Sequence, residues 1–582
     1  MSPTPKRWDI APPMPAGFRA RFSHLNHILA QALYNRGVTA PEDVRAFLEG
    51  RGRFHDPFRM LGVSKAVDRI RAAIRAQEPI VVYGDFDADG VTATALLVQT
   101  LQAFGGQVSH YIPHRVDEGY GLHKDTLDRI AAQGARLLIT VDCGIRSPEE
   151  TAHAQSLGMD VIITDHHSIY QDERGVQQLP PALAVINPKR AGDPYPGKEL
   201  AGVGVAFKLA QALLLAERAE PISAAAVTLT ESDLLDLVAL GTVADLAPLL
   251  GENRSLVQRG LAELNQPRRP GIQAMLEEAR LLPGRVNAMA IGFILGPRLN
   301  AAGRLKTAET SYKLLTTPDA LFARSLAEEL GHLNRRRQEE TQTLTALARR
   351  RIAADSRPRH LYLAADAEFN PGIVGLVAGR LAEEFYRPVF IAQIGPEETH
   401  GSARSIAEFD VTAALDRCRD LLKRHGGHAM AAGFTARNER LPALQARLEE
   451  IAAEQLAGQD LLPTLEVDAV TELNELDLAV HALLQQLEPC GYANPQPVLA
   501  SLAVEVVTQR AVGADRRHLK LVVRDPHDGQ EWDAIAFGLG GWFGQLPHRI
   551  DLAYTLEANE FGGDRKLQLN VRDLRPAVDK PS

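Results

Sequence analysis

Apolar and polar positions along this chain follow two rhythms that change place several times. From about residue 50 to about residue 250, candidate strands recur at Ile80–Tyr83, Val108–Ile112, Leu137–Val141, Val161–Thr164 and Leu183–Ile186. Helical patterns separate most of them, among them the Ala-rich stretch Val91–Phe104. This alternation predicts a mainly parallel sheet with helices on both faces. In such sheets ligands bind beyond the carboxyl ends of the strands.

The rhythm then lengthens. From Pro318 to Asp355 the chain has no internal proline and spaces Leu321, Leu326, Leu330, Leu333, Leu344, Leu347 and Ile352 as the narrow apolar face of one helix. At 1.5 Å per residue it spans roughly 50 Å, enough to bridge two domains. Its clusters Arg335-Arg336-Arg337 and Arg349-Arg350-Arg351 read as a solvated face. A second α/β unit follows, with strands at His360–Ala364 and Pro388–Ile391 around a helix at Ile373–Phe385. After about residue 462 helix gives way to short strands at Val504–Arg510, His518–Arg524, Glu531–Phe537, Leu552–Glu557 and Lys566–Val571. Turns such as Pro526-His527-Asp528-Gly529 and Gly562-Gly563-Asp564 separate them, as in a small OB-like barrel. Arg510, Arg516, Arg517, Lys520 and Arg524 make that barrel locally basic. Trp532 and Phe537 read either as core or as base-stacking faces.

The fold class is therefore α/β multidomain. We expect an N-terminal extension over 1–50 and a parallel-sheet catalytic domain over 51–315. A connecting helix over 316–356, a smaller α/β domain over 357–460 and an OB-like nucleic-acid-binding barrel over 461–582 complete it. Within the extension, Ala40-Pro41-Glu42-Asp43 reads as a helix start, with proline in the first turn. The net charge of -9 excludes a surface coated in basic residues, so any nucleic-acid contact must come from local patches. The three cysteines, Cys143, Cys418 and Cys490, have no metal-ligand spacing and fit a reducing cytoplasm. No apolar run is long enough for a transmembrane helix, and Met1–Phe22 lacks the apolar core of a signal peptide.

The candidate chemistry gathers at the ends of the first strands. Ile80–Tyr83 runs into Gly84-Asp85-Phe86-Asp87-Ala88-Asp89-Gly90. If that backbone is extended, the three carboxylates face one point, and such crowded like charges are tolerated best around a cation. A solvated acidic turn before a helix is the alternative. Leu137–Val141 ends in Asp142-Cys143-Gly144, and Val161–Thr164 ends in Asp165-His166-His167. The helical stretch Leu234–Leu240 breaks at Gly241-Thr242-Val243-Ala244-Asp245. Each end alone is unremarkable, but acids and histidines converging at one sheet edge point to a divalent metal site. Two glycine-rich stretches, Gly401-Ser402-Ala403-Arg404-Ser405 and Gly426-Gly427-His428 through Gly433-Phe434, read either as tight turns or as phosphate cradles.

This ordered set resembles the DHH phosphoesterase superfamily, and Gly427-His428 through Gly433-Phe434 looks like the signature of its associated C-terminal domain. Arg298-Leu299-Asn300-Ala301-Ala302-Gly303-Arg304 is similar to a further motif of the bacterial single-strand-specific 5′→3′ exonucleases within it. The resemblance implies two Mn²⁺ or Mg²⁺ ions that activate water for phosphodiester hydrolysis. It implies Asp87 and Asp142 on one ion and Asp89, Asp142, His166 and Asp245 on the other, with Asp142 bridging. Asp85 and Asp165 join the metal-site residues, and His167 orients the site or meets the phosphate; Asp142, His166 and His167 are the expected catalytic residues. Arg115, Arg298, Asn300, Arg304, Ser402, Arg404, Gly427 and His428 are expected to bind substrate, with a 5′-phosphate pocket among them. The implied partners are single-stranded DNA with a 5′ end, a single-strand-binding protein and a helicase, and the implied form is a cytoplasmic monomer in DNA repair and recombination. Two departures stand out: Tyr83 occupies a position where some relatives carry a metal-binding His, and Phe369-Asn370 one where they carry Trp-His. The competing functions are a phosphodiesterase for cyclic dinucleotides or short oligonucleotides, and a catalytically inactive DNA-binding scaffold. A terminal barrel argues for a polymer substrate against the first, and intact acids and histidines argue against the second.

Overall fold

The computed structural model describes residues 5–50, 52, 54–115, 117–222, 226–353, 359–561 and 564–577. Its first domain is built on a five-stranded, all-parallel sheet in the order Val108–Tyr111, Ile80–Tyr83, Leu137–Val141, Asp160–Thr164, Ala184–Ile186. Alternate strand residues face opposite cores. Ile80, Val82, Leu137 and Ile139 enter the larger one, while Val81, Tyr83, Leu138 and Ile163 enter the smaller. Both faces are covered, which is why the inner strands Ile80–Tyr83 and Leu137–Val141 are buried throughout, whereas the edge strand Val108–Tyr111 carries Ser109 and His110. The larger core is lined by the helices Ala88–Ala103, Gly202–Ala219 and Ser232–Ala244, each buried along most of its length. Strand order reverses at Ile80–Tyr83, whose neighbours on its two sides are Val108–Tyr111 and Leu137–Val141, and crevices open at such reversals.

The linking helix runs Ala320–Ala353, 34 residues, so the expected end at Asp355 lies outside the described residues. Its two ends belong to different cores: Ala323, Leu326 and Leu330 pack into the first domain, and Leu344 and Ala348 into the second. That second domain is a mixed sheet ordered Arg424–His428, Ala431–Arg437, Glu398–Arg404, Val389–Ile394, Tyr362–Asp366. The expected glycine stretch from Gly426 to Phe434 is thus a β-hairpin, with Gly427 paired to Ala432.

The last domain closes into a barrel because Leu499–Val512 pairs with both His518–Arg524 and Arg549–Phe561. Trp532 is core, whereas Phe537 is 60% exposed. The turn expected at Gly562-Gly563 lies outside the described residues. Among the described residues no helix is long and apolar enough to cross a membrane.

The N-terminal extension has no core of its own. Phe18, Phe22, Leu29, Leu33, Val44 and Phe47 share one apolar cluster with the barrel residues Leu519, Leu521 and Trp532. The strand Arg7–Ile10 pairs in parallel with Thr464–Val467. Chain start and chain end therefore fold as one unit, which is docked on the first domain by Arg254. This buried side chain donates to the carbonyls of Phe47, Gln486, Leu487 and Glu488, with its guanidinium 3.8 Å from the Phe47 ring centroid. Arg254→Ala leaves several buried carbonyls unpaired, at a cost of about 1–3 kcal/mol for each group left unsatisfied. We expect it to uncouple the barrel unit, with a second, lower calorimetric transition and faster proteolysis near residue 488. A single unshifted transition would contradict this role.

Candidate metal centre and arginine pocket

The Ile80–Tyr83 strand ends before the acidic run, and the chain does not stay extended through it. Asp87 caps the helix Ala88–Ala103, its carboxylate accepting from Asp89 N and Gly90 N at 3.0 Å. The three acids consequently point at two places rather than one. Asp85 and Asp87 come from the loop and Asp89 from the first helical turn. Gly90 permits this bend, since an added Cβ would lie 2.6 Å from the Asp85 carbonyl. The expected break at Gly241 is likewise absent. The helix continues to Ala244, and Asp245 is its C-cap. Gly241 is small because a Cβ there would meet Thr92 Oγ1 at 2.3 Å and Asp89 Oδ1 at 2.8 Å.

Asp142 and Asp165 extend the parallel ladder one residue past their strands, with Asp142 N bonded to Thr164 O and Asp165 N to Ile186 O. Asp142 sits at a positive φ of 61, a backbone conformation uncommon outside glycine, which Asp adopts more readily than most side chains and which clusters at functional sites. Donor atoms within 4.8 Å of one another then form three groups: Asp85, Asp87 and Asp142; Asp89, His166 and Asp245; Asp142, His166 and His167. His166 Nε2 lies 3.1 Å from Asp142 Oδ1 and 3.7 Å from Asp245 Oδ2. Asp85 Oδ1, Asp142 Oδ1 and His166 Nε2 are buried with no hydrogen-bond partner among the described residues. A divalent cation fits this oxygen-rich, single-imidazole donor set.

The protonation equilibria carry the same strain. Burial and then Asp87 push Asp85 well up and Asp89 up to about 7. Burial and then Asp89 push Asp142 well up and Asp245 up to about 9. Burial and then the His167 charge hold His166 down to about 3, that is, as a neutral ligand.

Asp165, expected as a metal residue, lies outside the three donor groups. Its Oδ1 accepts from His166 N, His167 N and His167 Nδ1, and its Oδ2 accepts from Ile145 N. Both oxygens are turned to these donors, so Asp165 orients the histidine pair. Burial opposes its charge, yet the His167 hydrogen bond draws it down to about 2, while Asp165 overcomes the burial of His167 and draws that ring up to about 9. Tyr83 also lies outside the site. It donates to Gly121 O at 3.0 Å from the opposite core, and Asp85 provides the third donor beside Asp87 and Asp142.

The arginine predictions divide. Arg404 donates to Ser402 Oγ at 2.9 Å on the strand Glu398–Arg404, and Arg304 donates to the Gly372 carbonyl at 3.1 Å. Arg115 lies 4.6 Å over the Phe86 ring. Burial and then the charges of Arg115, Arg337 and Arg404 lower Arg304 to about 9. No carboxylate pairs with Arg115, Arg304 or Arg404 among the described residues, so they form a cationic pocket beside the acids. Arg298, by contrast, is ion-paired: Glu278 accepts from its Nε at 2.7 Å and is shared with Arg335. The side-chain carbonyl of Asn300 accepts from Ala88 N at 2.8 Å and buttresses the acidic loop. Gly303 serves the same contact, since its Cβ would lie 2.6 Å from Phe86 O. Gly427 is required by its φ of 152 and the nearby Ala431 carbonyl. His428 ends the strand Arg424–His428 and is exposed; partial burial and then the charges of Arg146, His167 and Lys189 hold its ring down. Asn370, at one of the two departures, bonds Glu340 on the linking helix, and Phe369 is buried.

Residue-type reasoning missed the amides of Gly202 and Val203, which donate to Asp89 at 2.7 and 2.8 Å from the N-terminus of an 18-residue helix. The signal was Ala201-Gly202-Val203-Gly204 opening an apolar run. It also missed Tyr120, whose hydroxyl lies 3.1 Å from His167 Nδ1.

These shifts set a pH dependence. Between about 4, where free carboxylates titrate, and the raised values of Asp89 and Asp245, the folded protein holds more protons than the unfolded chain. Stability without divalent ions therefore falls as pH rises through about 7 and about 9. His167 adds to the same trend, its stabilisation being lost as pH rises through about 9. We expect the metal-free melting temperature to drop across that window and Mn²⁺ to raise it most at the alkaline end, measured by calorimetry with and without chelator. A Mn²⁺ effect that shrinks with rising pH would refute it.

Three family models match the chain: the DHH family N-terminal domain over residues 79–242, the DHHA1 domain over 358–454 and the RecJ OB domain over 467–573. The single-stranded-DNA-specific exonuclease RecJ of Bacillus subtilis is 39% identical, over 97% of this chain and 70% of its own length. That of Escherichia coli is 37% identical, over 95% of this chain and 96% of its own length. The crystal structure of RecJ in complex with Mn²⁺ from Thermus thermophilus is similar with a TM-score of 0.82 at 31% identity, covering 99% of this chain and 80% of that one. With the acidic centre, the arginine pocket and the barrel in one chain, these matches make it a member of the RecJ family of single-stranded-DNA-specific exonucleases.

Proposed function

We propose that this protein hydrolyses phosphodiester bonds of single-stranded DNA from the 5′ end, using two divalent ions, Mn²⁺ or Mg²⁺. The observation that carries this is the adjacency of a buried carboxylate–histidine centre to an arginine pocket without acidic partners. Asp85, Asp87 and Asp142 would hold one ion, and Asp89, Asp142, His166 and Asp245 the other, with Asp142 shared. Bound there, paired ions lower the pKa of water and offset charge on attacking and leaving oxygens. Arg115, Arg304, Arg404 and Ser402 take the 5′-terminal phosphate, because guanidinium forks bind phosphate bidentately. His167, kept cationic by Asp165, meets a phosphate oxygen beside the centre. His428 closes over the strand from the second domain, and the barrel grips DNA farther along. Under this proposal the enzyme is a cytoplasmic monomer of DNA repair and recombination that works with a single-strand-binding protein and a helicase. A nuclease confined to single strands depends on a partner that opens duplexes.

With Mn²⁺, we expect degradation of a 5′-phosphorylated single strand but not of a blunt duplex or a cyclic dinucleotide. Cleavage of the cyclic dinucleotide alone would replace this function with the small-molecule one. Asp142→Ala should abolish cleavage while DNA binding in a mobility-shift assay survives; loss of both would point to a folding defect instead. Arg404→Ala should reduce the preference for phosphorylated over hydroxyl 5′ ends about tenfold, the equivalent of one charge-assisted contact. Equal losses on both ends would remove Arg404 from the pocket.

A further inference from the structure

The inward face of the linking helix is apolar at both ends and polar in the middle. Between Leu330 and Leu344, which enter the two domain cores, the same face carries Asn334, Arg337 and Thr341 at three- and four-residue spacing. Thr341 satisfies its hydroxyl on the Arg337 carbonyl at 2.6 Å. Arg337 itself is unsatisfied: its Nε is buried with no hydrogen-bond partner, and no carboxylate reaches its guanidinium among the described residues. On the same helix Arg335, Arg336, Arg349 and Arg351 each find an acid. A half-buried arginine left unpaired among so many available acids needs an anion from outside the chain.

Its position suggests which anion. Arg304, whose Nε is also buried and unpartnered, donates to the Gly372 carbonyl at 3.1 Å, and Asn370 of the same loop donates to Glu340, about one turn from Arg337 on the linking helix; Arg304 accordingly feels Arg115, Arg337 and Arg404 together. Arg337 in turn feels Arg380 and Arg298 rather than the acidic centre. Arg298 is neutralised by Glu278. Arg380, on the exposed side of the helix Val374–Phe385, has no acidic partner among the described residues. Gly379, the neighbour of Arg380, lies against the stem of Arg404, where an added Cβ would be 3.9 Å from Arg404 Cγ, so two more uncommitted guanidiniums stand near the pocket for a terminal phosphate.

We propose that Arg337 and Arg380 bind the outer phosphates of a 5′-triphosphate end, so that the enzyme also degrades 5′-triphosphorylated single strands. This rests on the exonuclease reading above and adds a substrate class to it. Water attacks the phosphorus joining the first nucleotide to the second, and the bond from that phosphorus to the first O3′ breaks. The O3′ takes a proton and departs as a nucleoside 5′-triphosphate, leaving a 5′-monophosphate on the shortened strand. No oxidant or other reactant is needed.

The test uses the full chain with Mn²⁺ and single strands of one sequence bearing a 5′-monophosphate or a 5′-triphosphate, the first product being identified by chromatography. Wild type should release nucleoside triphosphate from the second strand. Arg337→Gln should lower the triphosphate-to-monophosphate ratio of kcat/KM by about tenfold or more, the equivalent of one charge-assisted contact. Arg380→Gln, at an exposed position, should lower it in the same direction and guards against misfolding of the first variant. A triphosphate strand that resists wild type, or a ratio unchanged in both variants, overturns this inference while the monophosphate strand is still degraded. Failure to degrade either strand counts against the exonuclease reading itself.

Discussion

Mutual repulsion among buried carboxylates is the constraint on which the rest of this structure turns. Asp85, Asp87, Asp89, Asp142 and Asp245 meet at the end of a parallel sheet where water is scarce, and each that shifts is driven toward its protonated form. Such a cluster is stable as anions only around cations. Among the described residues the protein does not pair these acids with its own lysines or arginines, although Arg115 and Lys189 draw Asp85 and Asp245 down from a distance. Instead it gives Asp89 two amides at a helix N-terminus and spends Asp165 on the histidines. What is left over, including the unpartnered Oδ1 of Asp142 and Nε2 of His166, is what a metal needs.

Close packing of small residues makes that concentration of charge geometrically possible. Gly202 and Gly241 bring two helices within contact of Asp142 and Asp89, and a methyl group at either would collide with the carboxylates. Gly90 and Gly303 do the same for the backbone of the acidic loop. Arg115, Arg304 and Arg404 have no carboxylate partner among the described residues, and Arg115 stacks over Phe86 within the acidic loop, so positive and negative charge stand close together, an arrangement suited to aligning a phosphodiester chain.

The remaining architecture holds those charged groups in place. One helix is rooted in both α/β cores and fixes their separation. The extension and the barrel, at opposite ends of the chain, share one core and are docked by Arg254.

Much of this was legible in the residues. The parallel sheet, the linking helix and the five main barrel strands follow from hydrophobic period alone, because both-face burial and single-face burial leave different patterns. The acids and histidines were recognisable because several strands each ended in one. The division of labour among them was not: Asp165 has the same local signature as Asp142, and only the surrounding amides distinguish an orienting carboxylate from a ligand. Nor could sequence separate Arg298, neutralised by Glu278, from Arg304, left bare, since both lie on one helix six residues apart. The bend at Ala88, the unbroken helix to Ala244 and the union of extension with barrel depend on contacts between segments distant in the chain. By itself the sequence determined which elements form and which chemistry they can bring. Tertiary structure decided which charges are buried, which are paired and which face an open cleft, because burial and pairing are properties of neighbours that the linear order does not contain.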